Sequence, residues 1–185
     1  MEKVAVFILL SLMVTLLFTG SDACDGAPSM SAVAACKQAA TGPAMSKLCA
    51  DTLGTSPEAQ EVTSYVVAAA NAATQSYAAS KEAVGKVLQN PLAPDDIRLP
   101  CLICANKYDD ASMLVASMAD DVQHCSLTDI RADTLTAVAA VDDCATAVFP
   151  GGITSPLYTM AIADRDRSVL VLRLAMLLVP TLQHF

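Results

Sequence analysis

The stretch TSPEAQEVTSYVVAAANAATQSYAASKEAVGKVLQ, residues 55–89, decides the fold class. Thr55-Ser56-Pro57-Glu58 offers a hydroxyl N-cap, a proline in the first turn and an early acid, the signature of a helix start. Beyond it Val62, Val66, Ala69, Ala73, Ser80, Val84 and Val87 recur at helical three- and four-residue steps, giving one inward stripe along the whole segment. Asn90-Pro91 ends it. A helix this long with a single apolar stripe needs other helices to cover it.

The rest of the chain supplies them. A second long helix is expected from Pro94-Asp95 to about Gln123, with Cys104, Tyr108, Ala111, Val115, Met118 and Val122 as its stripe; Pro100 in its first turns should delay or kink it. A third should run from about Thr128 to Val148 with Leu135, Val138, Val141, Ala145 and Val148 inward, closed by Pro150-Gly151-Gly152. Ser155-Pro156 should start a fourth that reaches about Val179, ahead of Pro180. Upstream, Met30–Ala40 and Met45–Thr52 are helical in composition, and Gly42-Pro43 breaks the run between them. The expected fold is all-α: an up-and-down antiparallel four-helix bundle preceded by a short disulfide-clipped helical hairpin. The hairpin would occupy residues 24–55 and the bundle residues 56–180 of a single domain spanning 24–185.

Composition agrees. Of 185 residues, 54% are hydrophobic, enough to bury a core, and 33 are Ala, which loses no side-chain entropy in a helix. Only 4% are aromatic, without Trp, and β-branched residues are too scattered for a sandwich or barrel. The formal charge of −8 argues against nucleic acid, whose phosphates call for clustered Lys and Arg.

Residues 1–23 read as a secretory signal peptide. Lys3 gives a short n-region, Val4–Phe18 an apolar h-region, and Ser21-Asp22-Ala23 a cleavage site with small residues at −3 and −1. The h-region is short for a membrane span of about 20 residues. Cleavage would remove Glu2, Lys3 and Asp22, taking the charge from −8 to −7, and would leave a chain starting at Cys24. The expected location is extracellular, in the apoplast or alternatively a vacuole, with no membrane association after cleavage.

Seven cysteines remain to be explained. In a secreted chain they are first read as disulfide partners. Cys36 and Cys49 would lie about 20 Å apart on a continuous helix, but the turn at Gly42-Pro43 can bring them within the roughly 7 Å that a disulfide requires. Cys104, near the start of one long helix, and Cys144, near the end of the next, meet in an antiparallel pair. A bridge there would contribute roughly 4 kcal/mol by the chain-entropy estimate. Cys24, Cys101 and Cys125 are left over; Cys24 can pair with either of the others or stay free. Cys101-Leu-Ile-Cys104 also has the spacing of a redox pair or half a zinc site. No βαβ context accompanies it, and His124 with Cys125 is the only nearby ligand pair. No metal or other cofactor is expected.

Catalytic patterns are missing too. His124 and His184 are the only histidines, and neither sits in a nucleophile motif. Neighbouring acids such as Asp109-Asp110 and Asp142-Asp143 point about 100° apart on a helix, so they read as solvated faces rather than an acid/base pair. An enzyme is not expected.

The order of motifs resembles the plant invertase and pectin methylesterase inhibitor family, including its plane-pollen allergen branch. Cys36-Lys37 through Leu48-Cys49-Ala50-Asp51-Thr52-Leu53 looks like the family's hairpin. Cys104-Ala-Asn-Lys-Tyr108-Asp-Asp-Ala111 matches its C-x3-Y-x2-A pattern, Ala139-Ala-Val-Asp142-Asp143-Cys144 with Phe149 the segment around its fourth cysteine, and Ser155-Pro156-Leu157 the start of its last helix.

The resemblance implies a non-catalytic protein that blocks a carbohydrate-active enzyme of the cell wall or vacuole. The implied partner is a pectin methylesterase, whose substrate cleft the bundle would cover, or an acid invertase. The invertase branch presents a Pro-Lys-Phe segment between the second and third long helices; here that connection reads His124-Cys-Ser-Leu-Thr-Asp129-Ile-Arg131, so the esterase is favoured. The candidate contact residues are Asp109, Asp110, Asp120 and Asp133, on the polar faces of those two helices. A reading from another class is a non-inhibitory secreted lipid-binding or structural wall protein. Lipid-transfer proteins, however, carry adjacent Cys-Cys and Cys-x-Cys pairs that this chain lacks.

Overall fold

A computed structural model describes residues 24–151 and 155–179. The signal-peptide segment, His184 and the expected stops at Gly152 and Pro180 lie outside the described residues. Six helices and two short strands occur among those described: β1 (Ser29–Ser31), α1 (Ala32–Ala39), α2 (Pro43–Leu53), β2 (Ala59–Glu61), α3 (Val62–Gln89), α4 (Asp95–Gln123), α5 (Ile130–Val148) and α6 (Pro156–Ala175). A single 3-10 turn, Phe149–Gly151, follows α5. The fold is all-α, as the stripes require.

The four long helices form a closed square. Helix α3 packs on α4 and α6, and α5 packs on α4 and α6. Short connections force successive helices to reverse direction. The α4 stripe is buried at every expected position, from Cys104 to Val122. So is that of α3, apart from half-buried Val87. Many of the inward residues are Ala, which lets the helices approach closely; Val and Tyr fill the remaining space.

The short helices pack along α6, and α2 also touches α3. Their turn at Gly42-Pro43 puts Pro43 first in α2, where its missing N–H costs nothing. The guanidinium of Arg173 on α6 donates from Nε to the Ala39 carbonyl at 3.0 Å, satisfying the C-terminus of α1 and pinning the hairpin to the bundle.

Four expectations are corrected. The first concerns α3, which starts at Val62 rather than at Thr55–Glu58. Residues Ala59–Glu61 instead pair antiparallel with Ser29–Ser31, with Met30 opposite Gln60. The Val62 N–H then donates to the Pro28 carbonyl at 2.9 Å, so the strand partner satisfies a donor that a cap would otherwise serve. For the same reason α1 starts at Ala32, not Met30: Ser31 is its N-cap, its Oγ accepting from the Ala34 N–H at 3.2 Å.

Second, Pro100 does not delay α4, which runs from Asp95 straight through it. Proline there deprives only the Asp96 carbonyl of a partner, at a solvent-exposed helix end where water can replace it. Third, α5 is rotated from its expected face. The difference is confined to its first half: Val141, Ala145 and Val148 are buried as expected, but Leu135 is 46% exposed and Val138 half-buried, while Ile130, Thr134 and Ala137 point inward. Thr134 can be buried because its hydroxyl donates to the Ile130 carbonyl at 2.6 Å. Fourth, α6 ends at Ala175, and Met176 to Leu178 form a turn instead of continuing to Val179.

The rotated face is testable. Ile130→Ala should lower stability by about 2–5 kcal/mol, whereas Leu135→Gln should change it by less than about 0.5 kcal/mol. Urea unfolding of the two variants distinguishes this face from the one expected from sequence.

Candidate functional site

Covalent geometry comes first. Cys36 and Cys49 are bonded with Cα atoms 5.6 Å apart, and Cys104 and Cys144 with Cα atoms 4.4 Å apart. These are the two pairs proposed from the hairpin turn and the antiparallel helices. A third bridge joins Cys24 to Cys125 across 101 residues, resolving the choice left open for Cys24. It ties the chain ahead of β1 to the end of α4, where Cys125 has left the helix with φ at +60°. Cys101 is the remaining cysteine, free and buried, and burial pushes its thiol pKa up.

Within the bundle lies a polar cluster that the sequence reading did not anticipate. Asp164 on α6 is 1% exposed. Its Oδ1 accepts from the Ser76 hydroxyl. Its Oδ2 accepts from Ser80 at 2.5 Å and from the Tyr108 hydroxyl at 2.8 Å. Arg167 approaches Oδ1 at 3.7 Å. Beside it the Ser168 hydroxyl donates to the Asp164 carbonyl at 2.8 Å and lies 2.6 Å from the Tyr77 hydroxyl. Helices α3, α4 and α6 therefore meet on one carboxylate. Among the described residues no buried side-chain nitrogen or oxygen is left without a partner.

The cluster also fixes two tyrosines. Their ring centroids are 5.8 Å apart. Burial, opposed by the Ser168 bond and reinforced by the Asp164 charge, pushes Tyr77 up to about 12. Burial and the same carboxylate push Tyr108 still higher. A partial sequence signal existed: Ser80 and Tyr108 both fall on inward stripes. Asp164, within the run Asp164-Arg165-Asp166-Arg167, looks like part of a solvated face.

The four candidate contact carboxylates lie outside this core but are not gathered into one cluster. Asp109 is exposed and leans toward α3, where it pairs with Lys81. Asp110 and Asp120 are exposed on α4, and His124 Nδ1 lies 3.5 Å from Asp120 Oδ1. Asp133 on α5 is half-buried; burial first, then the neighbouring charges of Asp129 and Asp121, raise its pKa. On the other flank of α4, Lys107 pairs with Asp143 of α5 at 2.7 Å. Asp110 thus makes no ion pair among the described residues, Asp120 stands beside His124, Asp109 is neutralised across the α3–α4 groove, and Asp133 belongs to the α4–α5 corner.

This arrangement is suited to presenting a shape and a field, since its polar groups are either locked inside or spread along helix flanks. Among the described residues, no three His, Cys, Asp or Glu side chains gather in metal-holding geometry, and no helix is long and apolar enough to cross a membrane. No family model, curated protein or solved structure matches the chain.

Two outcomes follow from the buried cluster. Asp164→Ala should cost about 3–5 kcal/mol, because it strands donors from Ser76, Ser80 and Tyr108 in the core; thermal unfolding measures it, and a loss below about 1 kcal/mol would refute the role. Alkaline titration gives the second. Tyr77 has a folded-state pKa of about 12 against 10 for the ordinary side chain. Its contribution is therefore complete below pH 10 and is lost as pH rises from 10 toward 12. Stability should fall across that window, and Tyr77→Phe should flatten the fall.

Proposed function

We propose that the chain is a secreted, non-catalytic inhibitor of pectin methylesterase that docks its helical bundle over the enzyme's substrate cleft. The observation that carries this reading is covalent: a hairpin clipped by Cys36–Cys49 precedes a bundle whose second and third long helices are bridged by Cys104–Cys144. That order accompanies the four motifs by which the sequence resembles the inhibitor family. Three disulfides suit an oxidising, extracellular type of compartment, where such bridges persist.

A bundle clipped in three places loses little conformational entropy on docking, so more of its contact energy remains as affinity. With a formal charge of −8 over the whole sequence, or −7 once residues 1–23 are removed, it would be drawn to a basic enzyme surface. Asp110 and Asp120 are the exposed acids on α4 best placed for that contact. Inhibition of an acid invertase is the second reading, and it is weakened by the α4–α5 connection. That connection lacks Pro-Lys-Phe and is held at Cys125 by the Cys24 bridge.

The test is titration of the purified protein against a pectin methylesterase and an acid invertase at mildly acidic pH. The expected result is loss of esterase activity with unchanged invertase activity, weakening as salt is raised past the range where the screening length is about 10 Å. Asp110→Lys combined with Asp120→Lys should weaken inhibition about tenfold or more, with an unchanged melting transition. Inhibition of neither enzyme refutes the assignment.

A further inference from the structure

A cavity of about 480 Å³ opens at the end of the bundle where α4 begins, α5 ends and α6 begins. Ile97, Pro100 and Cys101 of α4, Ala147 and Val148 of α5 and Leu157 of α6 form its apolar wall. The volume falls within the range of about 300–1,000 Å³ typical of small-molecule sites, and the gap between bundle helices is a usual place for one. Polar lining comes from Asp96 and Ser155. Cys101 is part of that wall; it is wholly covered, and it is the one cysteine not consumed by a bridge. On the same first turns of α4, Leu99, Leu102 and Ile103 remain 62%, 50% and 38% exposed, a local concentration of apolar surface.

Charge selects among occupants. Among the described residues the only charged side chain lining the cavity is the carboxylate of Asp96, with Asp95 beside it in the first turn of α4, and no described Lys or Arg contributes to the wall. An anionic ligand such as a fatty-acid carboxylate would meet like charge without a counter-ion. A second copy of the chain, itself net acidic, would be repelled by like charge.

We propose that this cavity is a binding site for a neutral, largely apolar small molecule of two or three rings. The site is separate from the candidate docking acids Asp110, Asp120 and Asp133, and its occupancy does not depend on whether the chain inhibits an esterase. Leu157 and Val148 supply the contact surface, and Ser155 offers a hydroxyl for a polar substituent.

The test uses two probes that differ by one charge: neutral N-phenyl-1-naphthylamine and its anionic relative 1-anilinonaphthalene-8-sulfonate. The neutral probe should bind saturably, one per chain, and at least about tenfold more tightly than the sulfonate. Asp96→Asn should narrow that gap. Ala147→Trp, which fills the cavity, should weaken the neutral probe about tenfold or more; if that variant does not fold, Ser155→Trp at the edge gives the same reading. No saturable binding overturns the proposal, as does equal affinity for the two probes or undiminished binding in a folded, cavity-filled variant. Sedimentation at the same concentrations supplies the last outcome: a dimer that excludes the probe also overturns it, in favour of a second copy.

Discussion

The carboxylate of Asp164 is the interaction on which the bundle's alignment depends. A charge in an apolar interior is tolerated only when its lone pairs are met, and here they are met from separate helices: Ser76 and Ser80 from α3, Tyr108 from α4 and Arg167 from α6 itself. Ala-rich surfaces slide easily against one another because one small side chain resembles the next. A shift of one turn, about 5.4 Å, would leave the surrounding apolar contacts nearly as good but would strand the carboxylate. The polar cluster thus adds what Ala cannot supply, a penalty for the wrong register. It pairs the height of α3 with α4 and α6, while the Cys104–Cys144 bridge sets α5 against α4.

The disulfides divide the remaining work by location. Cys36–Cys49 closes a hairpin too small to bury much apolar surface of its own. Cys24–Cys125 holds the strand pair and the start of α3 against the end of α4. The outer surface of the bundle is then free to be acidic, because neither core nor covalent frame depends on its charges. That separation is what a docking protein needs: a surface that can vary for its partner on a scaffold that cannot move. It also leaves the end around Cys101 as the place where apolar surface is incompletely covered.

Much of this fold was legible because the long helices advertise themselves by period. The α4 stripe, six residues from Cys104 to Val122, is buried without exception. The failures have specific causes. The three-residue strands carry no period, and the bridge that anchors the chain just ahead of β1 spans 101 residues. The face of α5 was misread because Leu135 outranks Thr134 in hydrophobicity, yet Thr134 hides its hydroxyl in the helix's own carbonyl. Asp164 was invisible because Asp-Arg-Asp-Arg looks solvated in one dimension; its serine and tyrosine partners are brought to it only by tertiary structure. The candidate acids were legible as exposed residues, but not that Asp109 would be neutralised by Lys81 or that Asp133 would be half-buried.

In the proposed complex, a register-locked, disulfide-clipped bundle offers the outer flank of α4 and its corner with α5 to a pectin methylesterase. Amide hydrogen exchange of the protein with and without saturating esterase tests it most directly. Docking should add protection on α4 around Asp110 and Asp120 and at the start of α5, with the amides around Asp164 already slow in the free protein. An unchanged exchange pattern, or protection confined to the α1–α2 hairpin, would contradict it.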